Sequence, residues 1–159
     1  MPAAEPMLTL ESAGVRLGAS ANHSGSDFKQ VEAFLNLNLP WHWPVGKGWL
    51  IQSRLDTSAG WLGDGENGGV FTIGPSFLLK RERFPVYFDL GLSPTGLTQH
   101  EFVHKDFGIE LQFTTHVGVN LELSPKLRLG YRFQHMSNAH ISGHNPGLNL
   151  HMFSLEFPL

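Results

Sequence analysis

Apolar and polar residues alternate with a period of two along almost the whole chain. Leu127, Leu129, Tyr131 and Phe133 fall on one face of a stretch whose other face carries Arg128, Gly130, Arg132 and Gln134. A longer run gives Ile109, Leu111, Phe113, Val117, Val119, Leu121 and Leu123 against Glu110, Gln112, Thr114, His116, Gly118, Asn120 and Glu122. Val31, Ala33, Leu35, Leu37, Leu39 and Trp41 repeat the pattern, as do Trp49, Ile51, Leu55 and Trp61. Phe71, Ile73, Phe77 and Leu79 share a face, and so do Val86, Phe88, Leu90 and Leu92. Successive side chains of a strand point to opposite faces, so this periodicity predicts strands. No window of comparable length fits a helical period. The breakers between runs delimit eight strands, near 8–21, 28–40, 48–61, 69–80, 84–94, 107–123, 126–137 and 147–158.

The connections differ in character. Asn22–Asp27, Leu62–Gly68, Thr95–Asp106 and Asn138–Pro146 are polar and some are long. Leu79–Phe84 and Ser124–Pro125 are tight, with Trp41–Lys47 an exception of seven residues. Long loops on one rim and short turns on the other are the habit of outer-membrane barrels. A soluble barrel would turn the apolar set inward around a ligand. Here the polar sets hold charges of both signs (Glu32, Arg54, Asp56, Asp89, Glu110, Glu122, Arg128, Arg132, Glu156), which can pair in a small closed interior. The apolar sets carry Trp41, Trp49, Trp61, Tyr131 and Phe157 near strand ends, as interfacial girdles do. The expected architecture is all-β: one eight-stranded antiparallel transmembrane β-barrel domain over residues 1–159.

Composition narrows the functional classes. The chain has 159 residues, 16% charged, with a formal net charge of −3. Lys and Arg number 11 against 14 acids, which argues against a nucleic-acid partner. The absence of Cys excludes disulfides, a thiol nucleophile and Cys-ligated metal. No run reaches 18 apolar residues, so no membrane-spanning helix is expected. The opening MPAAEPMLTL lacks a basic region followed by an apolar one, and a signal peptide is expected to have been removed.

The residues that could carry chemistry lie at the end of the seventh strand. His135 and Ser137 are two apart and in register with the lipid-facing set. On the eighth strand Asn149 and His151 share the parity of Phe153, Leu155 and Phe157. The two strands are sequential, so His135, Ser137 and Asn149 can be cross-strand neighbours on the outer wall. A hydroxyl, an imidazole and a polar orienter form the layout for nucleophilic acyl transfer. Ser137 would attack, His135 would take its proton, and Asn149 would fix the imidazole tautomer. The Asn138 amide, with the backbone near Ala139, would stabilise the oxyanion.

The run Gly130-Tyr131-Arg132-Phe133-Gln134-His135-Met136-Ser137-Asn138-Ala139, followed by Asn145-Pro146-Gly147-Leu148-Asn149, resembles the C-terminal signature of the lipid A 3-O-deacylase (PagL) family. Phe107-Gly108-Ile109-Glu110-Leu111-Gln112-Phe113 with Val117-Gly118-Val119 is similar to that family's preceding strand. The resemblance is clear over about the last third of the chain. It implies an eight-stranded barrel in the bacterial outer membrane that hydrolyses the 3-linked acyl ester of lipid A, with no cofactor and no metal. It implies Ser137 as nucleophile, His135 as base and Asn138 at the oxyanion, and substrate contacts at Ala139, Asn145 and Gly147. The expected partners are lipid A or lipopolysaccharide and membrane lipids; a homodimer is left open. The family's acid is a glutamate, whereas this chain has Asn149. An amide can orient a histidine but stabilises an imidazolium less well. That departure keeps a second reading alive, a non-catalytic barrel with a structural or adhesive role.

Other motifs carry less. His100-Glu101-Phe102-Val103-His104 matches the zincin pattern, which requires a helix. Pro94, Gly96 and Gly108 leave room for about two turns, no distant helix offers a third ligand, and an exposed loop meeting headgroups is the expectation. His135, His140, His144 and His151 could suggest a metal cluster, but no acid lies nearby to support one. Headgroup phosphates could meet Lys105, His100 or His104 at the rim.

Overall fold

The computed structural model of the chain describes residues 8–21 and 27–159. Eight strands follow one another: β1 (Thr9–Ser20), β2 (Lys29–Gly46), β3 (Trp49–Gly63), β4 (Asn67–Arg81), β5 (Val86–Leu97), β6 (Leu111–Ser124), β7 (Leu127–Ser137) and β8 (Leu148–Pro158). Each pairs antiparallel with the next, and β8 returns to β1 to close the barrel. Closure removes every sheet edge and satisfies the backbone within the wall, which a strand protein in lipid requires. The alternation has the predicted hand. Val15, Leu17, Val31, Phe71, Ile73, Phe88, Leu90, Val117 and Phe153 are exposed on the outside, whereas Arg16, Glu32, Arg54, Asp56, Asp89 and Glu156 are buried inside.

Three expected boundaries shift. Trp41–Lys47 is not a loop: β2 continues to Gly46 and turns tightly through Lys47 and Gly48, both with positive φ. The register slips between Asn38 and His42, so Pro40, which has no N–H for the ladder, sits in an irregularity that leaves the strand unbroken. β5 runs on to Leu97, and β6 starts only at Leu111. Gly108, at a φ of 83°, turns the chain before the sixth strand begins. Of the expected Asn22–Asp27 connection, residues 22–26 lie outside the described residues.

The lumen has two zones. Toward the short-turn end, arginines and carboxylates interlock. Arg16 pairs with Glu32, and Arg132 lies 3.2 Å from the same carboxylate. Arg54 binds Asp56 at 2.6 Å, and Arg128 holds Glu11 at 2.6 Å and Glu156 at 3.0 Å. A small barrel is filled by its own side chains, and here the filling is ionic. Toward the long-loop end it becomes apolar. Phe28, Phe102 and Phe107 pack edge to face with ring centroids 5.5–5.7 Å apart, above Leu62, Leu97, Met136, Leu150 and Met152. Phe107, the first residue of the expected strand 107–123, is instead fully buried in this plug, because it belongs to the β5–β6 loop that folds back over the mouth.

Candidate active site

The site stands where the plug meets the outer wall. β7 brings His135 and Ser137 to its loop end, both facing outward. The register sets Thr115, His135 and Asn149 side by side across β6, β7 and β8, and Phe113 beside Ser137. His135 Nδ1 lies 2.7 Å from Asn149 Oδ1. An amide oxygen can only accept, so Nδ1 carries the proton and the Nε2 lone pair is free to act as a base. Ser137 follows two residues along the same face, about 7 Å further by strand rise. Its hydroxyl makes no hydrogen bond to the ring. The structure therefore brings two members of the expected trio into contact and sets the third adjacent to them.

Beyond Ser137 the chain enters left-handed backbone at Ala139 (φ 52°) and His140 (φ 62°). Such conformations are costly for residues with a side chain and persist where the surroundings enforce them. Asn138 does the enforcing. It is fully buried, and its amide Nδ2 donates to Phe107 O (2.9 Å), Ser142 Oγ (2.8 Å) and His144 O (2.7 Å). Its backbone N–H donates to Asn145 Oδ1 at 2.9 Å. The Asn138 amide, expected to serve an oxyanion, is thus engaged in tying the β7–β8 loop to the plug. The backbone N–H groups of Ala139 and His140 have no protein acceptor among the described residues. Ala139 itself is exposed and Asn145 half-buried.

Gly147 has a structural reason to be glycine. Its φ is 64°, and a Cβ there would come within 3.1 Å of His135 Cε1. Its carbonyl accepts from Lys105 Nζ at 2.7 Å. Lys105 therefore reaches across from the β5–β6 loop to the segment that flanks the imidazole. Burial of the Lys105 ammonium lowers its pKa from the ordinary value. Sequence reasoning treated Lys105 only as a contact for phosphate. It also missed the partner of His151, whose Nδ1 lies 2.7 Å from the Tyr131 hydroxyl on the outer wall. Shared parity with Asn149 was the signal that could have drawn attention to His151.

The zincin reading fails on geometry. Residues 98–110 form a loop with one bridge, Glu101 to Asp106, and no helix. His100 turns to Asp106 (2.8 Å) and His104 to Asp64 (3.1 Å), so the two imidazoles serve different acids. The hydrogen bond to Asp106 raises the His100 pKa, and the same bond lowers that of Asp106. His100, Glu101 and Asp106 hold their ligand atoms within 4.8 Å of one another on the exposed loop. The four histidines near the site disperse: His135 to Asn149, His151 to Tyr131 and His140 to Asn145, while His144 contributes its backbone carbonyl.

Comparison with known proteins bears on this arrangement. The model of the lipid A 3-O-deacylase (PagL) family matches residues 29–158. Lipid A deacylase PagL of Bordetella bronchiseptica (strain ATCC BAA-588 / NCTC 13252 / RB50) is 30% identical over 145 residues, covering 84% of this chain and 79% of that protein. The crystal structure of the outer membrane enzyme PagL superposes with a TM-score of 0.81 at 15% identity, covering 94% of this chain and 99% of the other. Neisserial surface protein A follows the same barrel more loosely, with a TM-score of 0.54 at 11% identity and 97% coverage of both chains. At these identities the structural likenesses speak for the fold alone. The family match spans most of the chain and includes every residue of the expected trio, and the chain belongs to the lipid A 3-O-deacylase (PagL) family of outer-membrane barrels.

Proposed function

We propose that this member of the family removes the 3-O-linked acyl chain of lipid A by serine-hydrolase chemistry on the outside of the barrel. The observation that carries the reading is the 2.7 Å contact of His135 Nδ1 with Asn149 Oδ1 on the lipid-facing wall, beside Ser137. Lipopolysaccharide approaches laterally in the outer leaflet, with its acyl chains against the apolar wall. The Ser137 hydroxyl attacks the ester carbonyl while His135 Nε2 takes its proton. The tetrahedral oxyanion receives the N–H groups of Ala139 and His140, which Asn138 and Asn145 hold in position. Collapse expels the sugar 3-oxygen, which takes the proton back from His135. Water, deprotonated by the same imidazole, then releases the fatty acid from Ser137.

Asn149 supplies orientation without charge. It keeps the correct tautomer, but cannot offset the imidazolium that forms in each step. This is the observation that favours a non-catalytic structural barrel, and one assay separates the readings. Lipid A from cells expressing the parent chain should lose one 3-hydroxyacyl group by mass spectrometry. Lipid A from cells expressing Ser137→Ala or His135→Ala should keep it. Unchanged acylation with the parent would favour the structural barrel. Deacylation by both variants would refute the assignment of these residues.

A further inference from the structure

The short-turn rim, at the opposite end of the barrel from the trio, holds a cavity of about 400 Å³. Its walls carry Lys80 and Arg81 from the end of β4, Arg83 from the following turn, Tyr87 from β5 and Glu122 from β6. Three cations face one carboxylate, and that carboxylate already lies 3.9 Å from Arg128. Arg83 has Glu82 at 3.9 Å, with both side chains open to solvent. Lys80 and Arg81 have no carboxylate within ion-pair distance among the described residues. Their charges rest over aromatic faces, Lys80 Nζ 5.1 Å from the Tyr87 ring and Arg81 Cζ 5.7 Å from that of Trp49. Glu11 and Glu156 act on Lys80 only from beyond ion-pair distance, and both are bound directly by Arg128.

A second observation points the same way. Tyr87 is only 3% exposed, and its hydroxyl has no hydrogen-bond partner. Buried hydroxyls in native proteins almost always have one. An oxygen-rich anion would answer both deficits, accepting from the phenol and neutralising Lys80 and Arg81. Phosphate suits this best, because guanidinium donors match its oxygens in pairs. The height fits as well. Trp41 and Trp43 are exposed at this rim, and tryptophans mark the level of lipid headgroups. We propose that the cavity binds a phosphate group, carried by a phospholipid of the leaflet opposite the trio or free in solution.

The test uses the full chain. In vesicles and nanodiscs of mixed phosphatidylcholine and phosphatidylglycerol, native mass spectrometry reads which lipid is retained; in zwitterionic micelles, phosphorus NMR reads binding of inorganic phosphate. Preferential retention of phosphatidylglycerol by the parent, lost in Lys80→Gln/Arg81→Gln, would identify the headgroup. Saturable binding of inorganic phosphate, weakened roughly tenfold or more in the same double variant, would identify the free ion. Tyr87→Phe should weaken either binding several-fold. Arg81→Gln alone, at an exposed position, keeps the test open if the double variant does not fold. Heat-modifiable migration and deacylation should match the parent in every folded variant. A parent that binds neither probe, or folded variants that bind as well as the parent, would overturn the proposal.

Discussion

The two faces of the barrel treat polar groups in opposite ways. Inside, Glu32 alone meets Arg16, Arg132, Gln30 and Ser58, and the neighbouring acids are likewise engaged by arginines and hydroxyls. Outside, His135, Ser137, Asn149, Tyr131 and His151 stand on a largely apolar wall, and each has at most one protein hydrogen-bond partner among the described residues. Desolvated polar groups are costly unless paired. The inner carboxylates are paired and hold the strands in register. The outer ones keep a free hydrogen-bonding function, the Nε2 of His135 above all, which a reaction can use. Charge density alone would have pointed to the lumen. Residual valence on exposed groups points to the wall.

This contrast can be broken from either side. Ser137→Ala or His135→Ala should lower deacylation by roughly 10³-fold or more while leaving the thermal midpoint near that of the parent, as loss of one member of a hydrolytic trio does. Glu32→Gln should do the reverse. It leaves Arg16 and Arg132 with no carboxylate at ion-pair distance among the described residues and should cost about 3–5 kcal/mol in denaturant titration, with kcat in the folded fraction little changed. If Glu32→Gln abolished activity without loss of stability, the division between the faces would fail. Asn149→Glu sharpens the comparison. A charged acceptor on His135 is worth about 1.4 kcal/mol more than a neutral one, so kcat should rise roughly tenfold. Gly147→Ala, which crowds the imidazole and strains the backbone, should cut kcat by a similar factor.

The smallest effect belongs to the loop. The His100 pKa is raised by Asp106, so that pairing stabilises the folded loop at low pH and is lost as pH rises through the elevated value. Asp106 is lowered, so its share is lost only in acid, as pH falls through its depressed value. The latch is complete between these limits. NMR titration of His100 should return toward histidine's ordinary value in Asp106→Asn, and an unchanged titration would exclude the pairing.

Much of this was legible in the chain itself. The period of two fixes which residues face lipid, and strand adjacency then brings His135 opposite Asn149, two of the three site residues, without any tertiary information. The failures share one cause. Pro40 reads locally as a breaker, yet a register slip absorbs it, and whether one can form depends on the neighbouring strand. Phe107 continues an outward alternation by count, but Gly108 turns the chain and Phe107 enters the plug beside Phe28 and Phe102. The Lys105–Gly147 bond joins positions 42 apart, and the Asn138–Phe107 bond positions 31 apart. Alternation says which way a strand residue points. It is silent on loops, whose contacts are set only when the barrel closes.

The most direct measurement is covalent labelling of the folded chain in detergent with a serine-directed fluorophosphonate, followed by peptide mass spectrometry. The account predicts one adduct, on Ser137, formed by the parent, faster in Asn149→Glu and absent in His135→Ala. Labelling at another serine, or equal labelling of Ser137 when His135 is replaced, would contradict it.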